Sequence, residues 1–189
     1  MAREFELKYA ATPEIQNKIQ EKFGDFEEIS METTYFDTPD SKLSARHITL
    51  RSRQENGVCV CTLKTPGVGH GHGEWDVEAP WCAETAEKLW QECGEDSIPF
   101  SELIPVCGAK FIRRAALVKL PDCTVEVALD AGVLLGGGKE QPLCEVEVEV
   151  KAGSEEAAVA FAMSLAAEFH LSPEPDSKFR RASALAKGE

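Results

Sequence analysis

The sequence lacks the features of several common protein classes. No apolar run approaches the roughly 18 residues of a membrane span, and no basic segment followed by an apolar core marks a secretory signal. We therefore expect a cytoplasmic protein without a membrane partner. The seven cysteines lack paired Cys-x-x-Cys spacing, which is more typical of reduced thiols than of a disulfide framework.

Basic charge is scarce as well. The 20 lysines and arginines are outnumbered by 33 aspartates and glutamates, which gives a formal net charge of −13. This excess of negative charge argues against a general nucleic-acid-binding surface, so no nucleic-acid partner is expected. Any polyanion must be bound by a local cluster of basic side chains, and the positions of the lysines and arginines therefore matter more than their number.

Internal repeats, low-complexity tracts and linkers are also missing. The 189 residues, of which 43% are hydrophobic and 28% charged, are enough to bury a sizeable core. We predict a single domain over residues 1–189, as a monomer or a homodimer.

What the sequence does contain is a series of strands with one charged and one apolar face. Side chains two apart share a face of a strand, so Glu4, Glu6 and Lys8 lie opposite Phe5 and Leu7. The same alternation recurs in the segments 48–53, 58–64, 74–78, 124–130 and 143–151. On any one strand, alternating charge is more often a solvated outer face than a binding site.

Two kinds of local signal connect these strands. The Asn56-Gly57 pair predicts a hairpin turn, which brings Arg51, Arg53 and Lys64 towards one another. Capping residues and apolar spacing predict helices over 12–24, 84–93 and 154–170, with two further strand-like segments over 33–37 and 110–118.

About eight such strands could curl into a barrel that buries the apolar faces under helices and turns the charged faces inward. A lumen crowded with acids and bases is costly when empty, so it should bind a ligand that is both anionic and metal-coordinated. A polyphosphate with divalent cations fits, because carboxylates hold hard cations and basic groups neutralise phosphate oxygens. The predicted metal-holding residues are Glu4, Glu6, Glu145 and Glu147, and the predicted phosphate-binding residues are Lys8, Arg51, Arg53, Lys64, Arg113 and Lys178.

Nearly the whole chain resembles the CYTH domain of the triphosphate tunnel metalloenzyme family. The residues that carry this resemblance are Glu4-x-Glu6-x-Lys8, Tyr35-Phe36-Asp37-Thr38-Pro39-Asp40, Leu50-Arg51-x-Arg53, Thr62-Leu63-Lys64, Ala128-Leu129-Asp130 and Glu145-x-Glu147. Each motif is weak alone, whereas their order and spacing together are specific. Glu149 extends the acidic strand beyond the family's usual pair, so any two of its three glutamates could bind metal.

The resemblance implies an α+β fold built on an eight-stranded antiparallel β-barrel, or tunnel, with a charged lumen and flanking helices. It implies hydrolysis of inorganic triphosphate, a small-molecule substrate, with Mg²⁺ or Mn²⁺. Lys8, Glu74 and Asp130 are the candidates for direct roles in catalysis. We interpret Arg114, Arg180, Arg181, Asp76 and Glu78 as surface or supporting residues.

Three other functions remain compatible with this sequence. Two are enzymes of the same fold, a class IV-type adenylate cyclase and a thiamine triphosphatase. The third is a non-catalytic sensor of polyphosphate or nucleotide, which the full set of acidic residues disfavours because an anion binder needs basic residues more than carboxylates.

Overall fold

The structure is a computed structural model that describes residues 2–66 and 72–189, with the backbone alone at residues 2–4 and 72. The strands and α-helices in the described residues are β1 (Ala2–Glu4), β2 (Glu6–Ala10), α1 (Pro13–Phe23), β3 (Glu27–Asp37), α2 (Lys42–Ala45), β4 (Thr49–Glu55), β5 (Val58–Pro66), β6 (His72–Glu78), α3 (Ala83–Cys93), β7 (Ile104–Lys119), β8 (Cys123–Gly136), β9 (Lys139–Gly153), α4 (Glu155–Phe169), β10 (Ser172–Pro173) and α5 (Lys178–Lys187). A short 3-10 helix, Phe100–Glu102, lies between α3 and β7.

The strands form one antiparallel sheet in the order β1-β6-β5-β4-β3-β7-β8-β9-β2-β10. Within residues 2–66 and 72–189, strand pairing does not close this order into a ring. Instead, the chain itself passes at Phe5 from β1, at one edge, to β2, which lies beside β10 at the other edge; β1 pairs with β6, whereas β2 pairs with β9. The predicted α+β, tunnel-like antiparallel fold is confirmed. The predicted first strand is split at Phe5, and the two-residue β10 is an addition.

Local sequence explains the tight hairpins. Asn56 and Gly57 join β4 to β5 with φ values of 49° and 87°, as the predicted turn requires. Gly137 and Gly138 join β8 to β9 in the same way, with φ values of 58° and 73°.

Capping residues define the predicted helices. Thr12 accepts a hydrogen bond from the amide of Ile15 at the start of α1, and Ser154 accepts one from Ala157 at the start of α4. The segment 177–181, predicted only as a basic stretch, instead begins helix α5, which Ser177 caps by accepting from the amide of Arg180. Among the helices of residues 2–66 and 72–189, none has the length and hydropathy that crossing a membrane requires.

Apolar residues pack on the outside of the sheet, beneath the helices. One core joins β2, β8 and β9 to α1 and α4 and contains the fully buried Ile19, Val125 and Val127. A second joins β4, β5 and β6 to α2 and α3 through Leu43, Leu63 and Leu89. Burying the apolar faces outward leaves the charged faces directed into the lumen, as the alternation predicts.

Helix α5 fills one end of the barrel. Ala182 of α5 is fully buried against side chains of the sheet's inner face, namely Met31, Ala109, Phe111, Leu134 and Leu143. Gly136 permits this close approach, since a Cβ there would lie 2.4 Å from the carbonyl oxygen of Ala182. The opposite part of the lumen remains an open, charged cavity.

Candidate active site

The open part of the lumen is a cavity of about 550 Å³ lined by side chains from β2 to β9 and from the segment leading into α5. Nine predicted site residues line it: Glu6, Lys8, Arg51, Arg53, Lys64, Glu74, Arg113, Glu147 and Lys178. Asp130 and Glu145 are wholly buried behind its wall. The side chain of Glu4 lies outside the described residues, so its predicted metal-binding role stays a prediction.

One wall of the cavity is acidic. Glu6 of β2 lies opposite Glu149 of β9, which in turn lies opposite Glu126 of β8. All three side chains line the cavity. We call Glu6, Glu149 and Glu126 the carboxylate row. Its oxygens are the donors that hard divalent cations prefer, so these residues fit the predicted metal.

The next pair of opposed residues on this wall consists of one basic and one acidic side chain. Lys8 of β2 faces Glu147 of β9, and the Lys8 ammonium also lies 3.5 Å from Oε1 of Glu6. Lys8 therefore sits beside the carboxylate row, where an ammonium could contact an anion bound to cations held by that row.

The facing strands β4 and β5 carry the basic side chains. Arg53 is 6% exposed, donates a 2.8 Å hydrogen bond to the Thr33 hydroxyl and lies over the Phe111 ring. Burial, with further contributions from Arg51 and Arg113, lowers the pKa of Arg53 to about 10. The shift reflects burial first and cationic crowding second, and an anion in the cavity would relieve the crowding.

Glu74 lies between two of these basic side chains. Its Oε1 is 3.6 Å from the Arg51 guanidinium and 3.4 Å from the Lys64 ammonium. The β5–β6 register explains this contact, because Lys64 and Glu74 are directly opposed. Glu74 is thus placed to orient the Arg51 and Lys64 side chains towards the cavity.

The innermost part of the cavity wall belongs to a largely buried ionic network, whose members Lys178, Arg113 and Glu147 line the cavity. Lys178 contacts three carboxylates: it lies 2.7 Å from Asp130 and 2.8 Å from Glu147, and it also pairs with Glu145. Arg113 makes a two-pronged contact with Asp130, at 2.8 and 2.7 Å, and also pairs with Glu147. Such forked pairing fixes the guanidinium in one orientation.

This network could hold a metal, since oxygens of Asp130, Glu145 and Glu147 all lie within 4.8 Å of one another. In the structure, however, the Lys178 ammonium contacts all three carboxylates. The roles predicted for Glu145 as a metal ligand and for Lys178 as a phosphate ligand therefore remain predictions.

Burial and charge act in opposition on the pKa values of this network. Burial alone would raise the pKa of Glu147, but Lys178 and Arg113 hold it well below its ordinary value. Burial, with the nearby Glu147 charge, raises the pKa of Glu145. Burial alone would lower the pKa of Lys178, yet the carboxylates raise it above its ordinary value. The Lys178–Glu147 contact is thus an ion pair at neutral pH.

Helix α1 supports the network from outside the barrel. The side-chain amide of Gln16, which is fully buried, donates 2.9 Å hydrogen bonds to the carbonyl oxygens of Asp130 and Glu145. Its own oxygen accepts a 3.0 Å hydrogen bond from Arg114. These bonds tie α1 to β8 and β9 directly behind two buried acids.

Some residues of the site escaped the sequence analysis. Arg181 was predicted to be a surface or supporting residue; it pairs with Glu145 and is nearly as buried as Arg113. Lys151 and His47 also line the cavity. A helix prediction for residues 178–187 would have placed Arg181 three residues from Lys178, on the same helix face. Strand alternation likewise puts Lys151 on the face of Glu149.

The sequence model of the CYTH domain family matches residues 2–183. The chain belongs to the CYTH domain family. The predicted resemblance is therefore confirmed, and it covers almost all of the chain.

Among curated proteins, an inorganic triphosphatase from Haemophilus influenzae is 32% identical over 164 residues, which are 82% of this chain and 47% of that protein. The chain thus spans about half the length of the curated relative it matches.

Solved structures show the same fold at lower identity. The PH1819 protein from Pyrococcus horikoshii OT3 has a TM-score of 0.68 at 22% identity, covering 98% of this chain and 99% of that chain. HpAC1 from Hippeastrum, a proposed adenylyl cyclase described as having a dominant triphosphatase activity, has a TM-score of 0.68 at 15% identity, with 100% and 97% coverage. These likenesses establish that the CYTH tunnel fold is shared.

Proposed function

We propose that this CYTH protein hydrolyses inorganic triphosphate to phosphate and diphosphate with the help of Mg²⁺ or Mn²⁺. The observation that carries the proposal is the division of one cavity into an acidic wall on β2, β8 and β9 and a basic wall on β4 and β5. The identity to a curated inorganic triphosphatase supports the same activity.

The acidic wall is the proposed cation site. The carboxylate row consists of Glu6, Glu149 and Glu126, which all line the cavity. Glu147 lies next to the row, two residues before Glu149 on the same face of β9. We choose this row over the buried network because the carboxylates of that network are already paired with Lys178, Arg113 and Arg181. A divalent cation held there would neutralise charge on the phosphate chain.

The basic wall is the proposed phosphate site. Arg51, Arg53 and Lys64 face the acidic wall, and guanidinium groups bind phosphate oxygens through paired N–H donors. Glu74 is assigned a positioning role through Arg51 and Lys64. Asp130 is assigned a similar role through Arg113, because it is wholly buried and binds that guanidinium.

In the proposed reaction, water attacks the terminal phosphorus while the bond from that phosphorus to its bridging oxygen breaks. The bridging oxygen leaves with the electron pair as part of diphosphate, and a carboxylate of the acidic wall takes the proton from water. Lys8 is placed to stabilise the leaving oxygens because it lies between Glu6 and Glu147. Most of the rate enhancement would come from positioning and charge neutralisation.

A phosphate-release panel tests the proposal. The protein is incubated with triphosphate, ATP, thiamine triphosphate or diphosphate, with Mg²⁺, Mn²⁺ or excess chelator. We expect turnover to be fastest on triphosphate and abolished by chelator. Cyclic AMP from ATP would identify an adenylate cyclase instead, and faster turnover of thiamine triphosphate would identify a thiamine triphosphatase. Tight triphosphate binding without metal-stimulated hydrolysis would identify a sensor.

A further inference from the structure

The carboxylate row places like charges directly opposite one another. Glu149 lies between Glu6 on one neighbouring strand and Glu126 on the other. Directly opposed residues have Cβ atoms about 5 Å apart, and like charges at that separation destabilise a sheet. A positive charge placed among these carboxylates would therefore stabilise the sheet by reducing their repulsion.

Lys151 supplies one such cation from within the chain. It follows Glu149 by two residues on β9, and its ammonium lies 2.7 Å from Oε2 of Glu149 and 3.6 Å from Oε1 of Glu126. The Lys151 side chain lines the cavity and is 37% exposed. The ammonium thus spans two members of the carboxylate row at the rim of the cavity.

We propose that Lys151 is an internal counter-ion that competes with a divalent cation for Glu126 and Glu149. This inference rests on the proposed function, because it takes the carboxylate row as the cation site. An ammonium and a divalent cation repel each other, so they compete for neighbouring oxygens of the same carboxylates. Lys151 must therefore withdraw when the cation binds, and its flexible stem can carry the charge into solvent.

The contrast with Lys178 shows why Lys151 is the displaceable lysine. The Lys178 side chain is 7% exposed and contacts three carboxylates that are themselves buried. Withdrawing its ammonium would leave those carboxylates unpaired in the interior. Lys151 contacts two carboxylates that are each 22% exposed, so water can replace it there.

The test is a titration with Mn²⁺ alone, in the absence of substrate, followed by calorimetry and by the electron paramagnetic resonance signal of free Mn²⁺. We expect Lys151→Gln to bind Mn²⁺ roughly five- to tenfold more tightly than the unmodified protein, since a unit positive charge is removed beside a divalent cation. Lys151→Arg, which keeps the charge, should stay within about twofold.

Lys88→Gln is the matched control. It removes the same charge from a helix residue whose ammonium lies 3.8 Å from Glu92 and which does not line the cavity. Its Mn²⁺ affinity should equal that of the unmodified protein. Circular dichroism of each variant establishes that it is folded before titration.

The outcomes separate this inference from the proposed function. If the unmodified protein binds Mn²⁺ and Lys151→Gln binds it equally or more weakly, the counter-ion role is overturned while the triphosphatase proposal stands. If neither protein binds Mn²⁺ in the absence of substrate, the carboxylate row by itself is not a cation site and the counter-ion role is overturned, while the phosphate-release panel decides the triphosphatase proposal separately. Tighter binding by Lys151→Gln and Lys88→Gln alike would indicate a general charge effect and would also overturn the role.

Discussion

The ammonium of Lys178 lies 2.7 Å from Oδ2 of Asp130, and this contact joins the last helix of the chain to the inner wall of the barrel. Lys178 reaches Glu145 and Glu147 as well, so one side chain links α5 to both β8 and β9. The contact explains how a basic segment near the end of the sequence becomes part of the site.

Replacing Lys178 with Met should strongly destabilise the fold. The change removes the ammonium from buried carboxylates, and breaking a buried ion pair from one side costs about 3–5 kcal/mol. Urea unfolding followed by circular dichroism measures the loss.

Arg180→Met on the same helix is the control for this change. The Arg180 side chain is 77% exposed and pairs with Asp176 at the surface, so its loss should cost less than about 0.5 kcal/mol. Equal unfolding midpoints for Lys178→Met and the unmodified protein would contradict the account of the buried network.

Replacing Arg51 with Ala should weaken triphosphate binding while leaving the fold intact. A hydrogen bond to a charged group contributes about 1.5–3 kcal/mol, which corresponds to roughly a tenfold to hundredfold rise in the dissociation constant. Calorimetry with triphosphate in excess chelator measures binding without turnover.

Arg46→Ala provides the comparison for Arg51. Arg46 is also an arginine paired with an acid, at 3.0 Å from Glu95, but it does not line the cavity. Its variant should bind triphosphate like the unmodified protein. Equal losses of affinity in the two variants would show that general charge, rather than the basic wall, governs binding.

Replacing Gln16 with Leu should lower the free energy of unfolding by about 1–3 kcal/mol. The half-buried Arg114 guanidinium loses an acceptor, and two buried carbonyl oxygens lose a donor. Thermal and urea unfolding provide the measurement. Asn17→Leu, at the exposed neighbouring position, should change stability by less than about 0.5 kcal/mol. A Gln16 variant as stable as the Asn17 variant would argue against the hydrogen bonds as a source of stability.

The thiols should differ in their reactivity with pH. Burial is the main cause that raises the pKa of Cys61 to about 12, and likewise that of Cys107. Since the thiolate is the reactive form, both should be nearly inert to iodoacetamide at pH 8 and gain reactivity only as the pH approaches that pKa.

Mass spectrometry of the labelled protein identifies which thiols react. In guanidinium chloride, where burial is lost, Cys61 and Cys107 should label at the rate of the partly exposed Cys93. Labelling of Cys61 at that same rate in the folded protein would mean that the site opens readily to solvent.

Much of the site could be predicted from strand alternation. Glu6 and Lys8 share one face of their strand, as do Arg51 and Arg53, and all four line the cavity as predicted. The Asn56-Gly57 turn also brought β4 and β5 into the predicted pairing. These predictions succeed because side-chain direction and turn geometry depend on a few neighbouring residues.

Strand alternation does not predict how deeply each charged side chain is buried, as the three glutamates of β9 show, namely Glu145, Glu147 and Glu149. All three share one face, yet Glu145 is wholly buried, Glu147 is 6% exposed and Glu149 lines the open cavity beside Glu126. The difference arises because α5 covers the end of the barrel near Glu145, and that helix lies far along the chain from β9.

The sequence by itself determined which face of each strand is charged, and hence that acids and bases would share an interior. Only the tertiary structure decided how deep each charge lies and which charges meet, as with Lys178 under the cavity and Lys151 at its rim. The physical reason is that alternation is a property of the local backbone, whereas depth and pairing depend on strand register and on the docking of α5 against strands distant in the chain.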